Sequence, residues 1–220
     1  MDGPPDARRF APAAARNRGP ILDVLRSRLP AAGLLLEVAS GTGEHCAHLA
    51  AALPGLTFQP TDPDLDSLAS IDAWCGGLPN VRPALALDAA AADWPVAAAG
   101  AVLCINMIHI APWAAAVGLV AGAARVLLAG GVLALYGPYT RDGQHTGPGN
   151  AAFDADLRAR NPAWGVRALE DVAALAASAG FGPPDVMPMP ADNLVVAFRR
   201  QCSTPASRLL PTSAPSPAGR

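Results

Sequence analysis

The chain has 220 residues, enough for one sizeable α/β domain but too few for two domains that are each easily stabilised. Hydrophobic residues make up 51% and charged residues 15%, a composition that excludes general disorder because disordered chains are poor in apolar residues. The net charge is -2, from 16 basic residues, all Arg, and 18 acidic ones. This balance predicts no broad nucleic-acid-binding surface.

Membrane segments, signals and metal clusters are not expected. The N-terminus MDGPPDARRFAP lacks the apolar core of a secretory signal. An uncharged stretch begins after Asp93, but its apolar part before Pro112 is about ten residues long, against roughly 20 for a membrane span. The cysteines are too widely spaced for a metal-ligand motif: they are Cys46, Cys75, Cys104 and Cys202. We therefore expect a cytoplasmic protein without a bound metal.

Both ends of the chain differ in composition from its middle. Residues 1–12 are polar and Pro-rich, and residues 201–220 are rich in Ser, Pro and Ala with almost no apolar periodicity. We predict that both ends are disordered and that 13–200 form one domain.

The first half of that domain alternates short apolar runs with stretches of helical spacing. Helix 13–29 has apolar residues every three or four positions, as in Ile21, Leu25 and Leu29. The elements that follow are strand 34–39, helix 45–53, strand 56–61, helix 64–75 and strand 81–87.

The second half continues the alternation and ends differently. The predicted elements are strand 101–108, helix 112–128 ended by Gly130-Gly131, strand 132–137, and helices 151–160 and 168–179. The runs 184–189 and 194–200 are close enough to form an antiparallel hairpin. We predict an α/β fold with a doubly wound, mostly parallel seven-stranded sheet and a terminal antiparallel hairpin.

A glycine-containing turn follows the first strand. Its candidate binding residues are Glu37, Ala39, Ser40, Gly41 and Gly43. The glycines let the backbone approach a ligand closely. A dinucleotide-binding turn would need a third glycine where Cys46 stands, and a phosphate-binding P-loop would need a Lys, which the chain lacks. The carboxylate of Glu37 instead suits a ligand with a positively charged end.

Two further acids follow the next two strands. Asp62 could accept hydrogen bonds from the vicinal hydroxyls of a ribose, and Asp88 could accept from the exocyclic amine of adenine. The alternative is that Asp62 or Asp64 only caps the next helix. We favour Asp64 as the cap and Asp62 as the binding residue.

These residues resemble the class I S-adenosylmethionine-dependent methyltransferases from about Leu34 to Arg200. The superfamily pattern E/D-x-G-x-G-x-G is matched except that Ala39 replaces the first glycine, and Asp88 matches its third acid. Six segments of the chain are similar to the methyltransferase-like-26 family: PAAARNRGPIL, LEVASGTGEH, FQPTDPD, NMIHIAPW, LYGPY and FDADLRARNPAWGVR. The resemblance implies the Rossmann-like class I methyltransferase fold and S-adenosylmethionine as cofactor, but no substrate.

The acceptor side is marked by polar residues after the fourth and fifth strands. His109 and Tyr139 are the candidate catalytic residues, with His109 as the base because imidazole titrates near neutrality. A buried core role for His109 remains equally open. Asn17 and Asn106 complete the predicted cofactor-binding residues, although the Arg16-Asn17 pair could merely cap the first helix.

The leading functional hypothesis is a methyltransferase acting on a small molecule. A non-catalytic S-adenosylmethionine-binding regulator or scaffold would use the same cofactor residues, so it remains the alternative. A nicotinamide-dependent oxidoreductase is a third hypothesis. The sequence does not predict the oligomeric state.

Overall fold

The computed structural model describes residues 6–202. The helices are α1 (Pro12–Leu25), α2 (Glu44–Ala52), α3 (Leu65–Cys75), α4 (Trp113–Val126), α5 (Pro148–Arg160) and α6 (Leu169–Ser178), with short 3-10 turns at Met107–His109 and Pro190–Asp192. The strands are β1 (Gly33–Val38), β2 (Leu56–Asp62), β3 (Leu85–Ala86), β4 (Ala99–Ile105), β5 (Leu127–Arg141), β6 (Gln144–His145), β7 (Arg167–Ala168), β8 (Asp185–Pro188) and β9 (Asn193–Arg199). Among these residues no helix is both long and apolar enough to cross a bilayer.

The main sheet has the order β3-β2-β1-β4-β5-β9-β8. The five strands from β3 to β5 run parallel, whereas β9 pairs antiparallel with both β5 and β8. The mostly parallel α/β sheet with a terminal antiparallel hairpin is therefore confirmed. The short β6 and β7, which were not predicted, pair with the far end of β5.

Helices cover both faces of the sheet because the central strands are apolar on both sides. Leu35 of β1 packs with α1, α2 and α3, while the adjacent Leu36 packs with α4 and α6. Side chains alternate between the faces of a strand, so a run of apolar residues fills both cores. Helix α5 instead contacts β6 and the 190–192 turn. It consequently stands at the end of the sheet, beside the carboxyl ends of β4 and β5.

Two predicted strands are shorter than expected. Strand 81–87 is reduced to Leu85–Ala86, with one isolated bridge at Val81, and Pro83 between them has no N–H to donate to a neighbouring strand. Strand 101–108 ends at Ile105 because Asn106 adopts a left-handed φ of 62°. The strand direction is lost there, and the 3-10 turn follows.

The predicted boundary between helix 112–128 and strand 132–137 was wrong. Helix α4 ends at Val126, and β5 runs through Gly130-Gly131 to Arg141. The register against β4 shifts between Ala99 and Ala101, so the glycines form an irregularity within the strand rather than a helix stop. Helix 13–29 was likewise too long, since α1 ends at Leu25.

Part of the N-terminal segment predicted to be disordered packs against α3. The Arg9 N–H donates to Ser70 Oγ at 2.8 Å, and Trp74 Nε1–H donates to the Arg9 carbonyl at 2.8 Å. Phe10 meets the Trp74 ring edge to face. Residues 6–11 therefore depart from that prediction because their backbone and aromatic groups find partners on α3. Pro12 is likewise ordered as the first residue of α1, and the Gln201 N–H donates to the Gly180 carbonyl at 3.1 Å. Residues 1–5 and 203–220 of the two predicted disordered ends lie outside the described residues.

Candidate functional site

The turn between β1 and α2 has an unusual backbone. Ala39, Gly41 and Gly43 all have positive φ, at 59°, 59° and 90°. Ala39 thus has a left-handed conformation that glycine adopts more readily, at a cost of about 1–2 kcal/mol. A Cβ atom on Gly41 would meet no atom within 4 Å. The turn therefore faces open space at Gly41, where a ligand can reach the backbone.

Gly43 is constrained by close packing. A Cβ atom on Gly43 would lie 2.6 Å from the Ile71 Cα, so α3 approaches the turn too closely for any side chain.

We expect Gly43→Ala to destabilise the protein by about 1–3 kcal/mol through overpacking, in addition to the strain of its positive φ. Gly41→Ala is the matched control, because it has a positive φ but open surroundings. Urea denaturation of both variants measures the difference. An equal loss of unfolding free energy in the two variants would show that α3 shifts to accommodate the added methyl group without an energetic cost.

Glu37 is buried at the end of β1. Its Oε2 accepts a hydrogen bond from Ser40 Oγ at 2.8 Å. Burial raises the pKa of Glu37 to about 7, and the nearby Asp62 adds to that rise. The Ser40 N–H donates to the Thr61 carbonyl at 2.8 Å, which fastens the turn to β2. Glu37 is thus a carboxyl group poised to ionise near neutrality beside the turn.

Asp62 connects the glycine turn to the loop after β2. Its Oδ2 accepts from the Gly41 N–H at 2.9 Å, and its Oδ1 accepts from the Asp64 N–H at 3.0 Å. Asp64 is the N-cap of α3, accepting from the Ser67 N–H, as predicted. Each Asp62 oxygen therefore retains a lone pair for another donor.

Asp88 stands apart from this cluster. Its side chain is exposed after β3, and its Oδ1 accepts from the Ala90 N–H at 2.9 Å. It has no hydrogen bond to Glu37 or Asp62 within residues 6–202, although Glu37 and Asp62 lie at the carboxyl ends of β1 and β2 and Asp88 follows the parallel strand β3.

Asn17 and Asn106 are each held in place by a hydrogen bond to another element. Asn17 Oδ1 lies 2.8 Å from His45 Nε2, which ties α1 to α2. Burial lowers the pKa of His45 to about 4, so its ring is neutral and Nε2–H is the donor in this bond. The Asn106 N–H donates to the Tyr136 carbonyl at 2.8 Å and fixes the residue at the end of β4.

A cavity of about 690 Å³ opens beside these two asparagines. Its wall includes Arg16, Asn17, Asn106, Tyr136, Phe153 and Arg160. The volume lies within the range of small-molecule sites. Phe153 and Arg160 were not predicted as site residues. Their spacing of seven places them on one face of α5, but only the fold shows that this face borders the cavity.

His109 and Tyr139 have no exposed surface in the structure. Their rings meet edge to face, with centroids 5.1 Å apart. His109 Nδ1 accepts from the Arg167 N–H at 3.3 Å, whereas His109 Nε2 and Tyr139 Oη have no hydrogen-bond partner in the described part of the chain. Neither side chain lines the cavity. This is the buried core placement that the sequence left open for His109.

Burial also sets the protonation of this pair. The pKa of His109 is lowered to about 3, chiefly by burial and then by the positive charge of Arg167. Burial raises the pKa of Tyr139. Both side chains are therefore neutral at pH 7, and His109 as placed is a poor base. No group of three or more potential metal-ligating side chains occurs in residues 6–202.

Comparison with solved structures identifies the fold. The chain matches an O-methyltransferase family protein from Burkholderia thailandensis with TM-score 0.72 and 19% identity, covering 87% of this chain and 58% of that chain. It matches human N-acetylserotonin methyltransferase in complex with S-adenosylmethionine with TM-score 0.72 and 12% identity, covering 84% and 52%. It matches the YcgJ protein of Bacillus subtilis with TM-score 0.64 and 14% identity, covering 85% and 99%.

The sheet order and these likenesses define the Rossmann-like fold of class I methyltransferases. The chain spans little more than half the length of the first two proteins. It belongs to the family described as "Protein of unknown function (DUF938)", whose model matches residues 8–200.

Proposed function

We propose that the protein is an S-adenosylmethionine-dependent methyltransferase that acts on a small molecule. The observation that carries this proposal is the turn after β1, where Asp62 accepts from the Gly41 N–H and Glu37 accepts from Ser40 Oγ, together with a cavity of about 690 Å³ lined by Asn17 and Asn106. The resemblance to the methyltransferase-like-26 family and the fold of the structural neighbours support it. Fold alone does not specify activity, so the site residues have to support the case.

The site residues fit the parts of S-adenosylmethionine. Free lone pairs of Asp62 suit the ribose hydroxyls, and the open space at Gly41 lets the cofactor approach the backbone. Ionised Glu37 suits the positively charged amino-acid end. Asn17 and Asn106 would lie between this end and the cavity, while exposed Asp88 would accept from the adenine amine.

Catalysis in this proposal rests on positioning. When bound, S-adenosylmethionine supplies an electrophilic methyl group, whose bond to sulfur breaks as an acceptor lone pair attacks it. The cavity walls orient the acceptor, and such alignment provides much of the rate of a two-substrate reaction. Any acceptor proton leaves to solvent, because His109 and Tyr139 are sealed from the cavity. We propose that these two support the ends of β4 and β5.

The cavity is also what favours an enzyme over a non-catalytic S-adenosylmethionine-binding protein. A regulator or scaffold needs the cofactor residues but no second concave site beside them. The nicotinamide hypothesis is disfavoured because Cys46, in the place of the third glycine, is completely buried in α2.

Two measurements test the proposed function. Calorimetric titration with S-adenosylhomocysteine, with NAD⁺ as the control ligand, should show binding only of the former. Incubation with trideuteromethyl S-adenosylmethionine and a metabolite extract should then yield a labelled small molecule detected by mass spectrometry. Binding without any labelled product would favour the non-catalytic alternative, and binding of NAD⁺ alone would overturn the proposal.

Cofactor affinity should depend on pH through Glu37. Because the pKa of Glu37 is about 7 in the folded protein, the group is mostly protonated at about pH 6, and a positively charged ligand must first displace that proton. We expect calorimetric affinity for S-adenosylhomocysteine to rise about tenfold from about pH 6 to about pH 8. Glu37→Gln should bind more weakly and lose this dependence. The same pH dependence in that variant would remove Glu37 from the interaction.

The raised pKa has the opposite effect on stability. The folded protein holds the Glu37 proton more tightly than the unfolded chain, whose carboxyl has its ordinary pKa of 4.5. The contribution of Glu37 to the free energy of unfolding is therefore largest at low pH and declines as pH rises from 4.5 to about 7. As the pH rises, ionisation of Glu37 should therefore increase the affinity for the ligand and decrease the stability of the ligand-free protein.

A further inference from the structure

The cavity beside Asn17 and Asn106 has a one-sided charge. Arg16 of α1 and Arg160 of α5 both line it, and no Asp or Glu does so within residues 6–202. Arg16 makes no ion pair or side-chain hydrogen bond with the described residues. Its guanidinium group is therefore available to a ligand.

Arg160 has only weak competition for its charge. Its Nη1 lies 3.6 Å from Asp156 Oδ2, and both side chains are more than half exposed, so this ion pair contributes little. The guanidinium also lies over the Trp164 ring, 5.2 Å from the centroid. Stacking on Trp164 holds the planar group while leaving its donor edge free.

The rest of the wall combines amide and apolar groups. Asn150 is buried and donates through Nδ2 to Thr146 Oγ1 and to the Asp192 carbonyl, both at 2.9 Å, which fixes its position. Phe153 and Tyr136 provide aromatic surface in the same wall. Two acids are adjacent in sequence to lining residues, Asp192 and Asp154, and neither lines the cavity. The Asp154 carboxylate is instead paired with Arg158 and accepts from the Val166 N–H.

We propose that this cavity binds a planar small molecule that carries a carboxylate or a comparable anionic group, and that Arg16 and Arg160 are its specificity-determining residues. This inference rests on the proposed function, since the anion would be the methyl acceptor. Guanidinium groups pair with carboxylates through two parallel hydrogen bonds, which gives both affinity and orientation. The aromatic walls take the ring of such a ligand.

The test compares two probes of nearly equal shape. Protein saturated with S-adenosylhomocysteine is titrated calorimetrically with 4-hydroxybenzoate and with its neutral analogue 4-hydroxybenzamide. We expect the acid to bind at least about tenfold more tightly than the amide, and Arg16→Gln or Arg160→Gln to reduce acid affinity about tenfold while leaving amide affinity unchanged. Arg82→Gln, which removes an exposed arginine that does not line the cavity, is the charge-matched control.

The outcomes separate this inference from the proposed function. Equal affinity for the two probes, no binding of either, or an arginine effect no larger than that of Arg82→Gln would overturn the anionic acceptor. The titrations are repeated without S-adenosylhomocysteine. Arginine-dependent acid binding by a protein that does not bind S-adenosylhomocysteine would support the anion site and overturn the proposed function.

Discussion

Replacement of Asp62 by Ala is expected to weaken S-adenosylhomocysteine binding about ten- to a hundredfold. The variant loses charged acceptors for the ribose hydroxyls, an interaction worth about 1.5–3 kcal/mol. It also frees the Gly41 and Asp64 N–H groups that Asp62 holds at 2.9 and 3.0 Å, so the turn becomes less ordered in the absence of ligand. Isothermal titration calorimetry on the folded variant measures the loss.

Two further variants distinguish ligand contact from loop order. Asp62→Asn keeps one acceptor oxygen and should bind with an affinity between those of wild type and Asp62→Ala. Asp66→Ala removes an exposed carboxylate in the first turn of α3 and controls for the change in net charge. A folded Asp62→Ala protein with wild-type affinity would exclude Asp62 from the cofactor site.

The turn of the proposed cofactor site could be predicted from the sequence because its signals are local. The strand, the turn and the helix start all lie between Gly33 and Glu44, and glycine readily adopts the positive φ found at Gly41 and Gly43. Asp64 as a cap needs only the Ser67 N–H three residues later. Such short-range geometry leaves few alternatives.

The cavity proposed to hold the acceptor could not be predicted, because it depends on contacts between distant segments. Arg16 and Phe153 line one cavity although more than 130 positions separate them in the sequence. The length of β5 was also misjudged, since its pairing with β6 and β7 over Tyr139–Arg141 carries it past the predicted end. Residue type and spacing contain little information about either feature.

His109 illustrates the same limit for a single residue. Its position just after β4 is compatible with a catalytic base, and its apolar neighbours are compatible with a core residue. What decides its placement is the 163–168 segment, where the Gly165 N–H donates to the His109 carbonyl and the Arg167 N–H donates to its ring. That segment is more than 50 residues away in the sequence.

Replacement of His109 by Ala is expected to lower the free energy of unfolding by about 2–4 kcal/mol. The ring is completely buried, and a Cβ atom on Gly137 would lie only 2.5 Å from its Nε2, so truncation opens a void between β5 and the 3-10 turn. The Arg167 N–H also loses its acceptor. Urea denaturation measures the loss, and His48→Ala, at a half-buried position of α2, is the matched control with a smaller expected effect.

The pH dependence of stability gives a second readout for the same residue. The pKa of His109 is about 3 when folded and 6.5 ordinarily, so the unfolded chain binds a proton that the folded protein does not. The contribution of the neutral ring to the free energy of unfolding is therefore fully present above pH 6.5 and is lost as the pH falls towards 3. In His109→Ala the free energy of unfolding should decline less over this pH range. The affinity of His109→Ala for S-adenosylhomocysteine should stay within about twofold of wild type, because the ring touches none of the predicted cofactor residues in the turn between β1 and α2. Unchanged stability together with a turnover reduced about a hundredfold or more, once an acceptor is known, would instead restore His109 as the catalytic base.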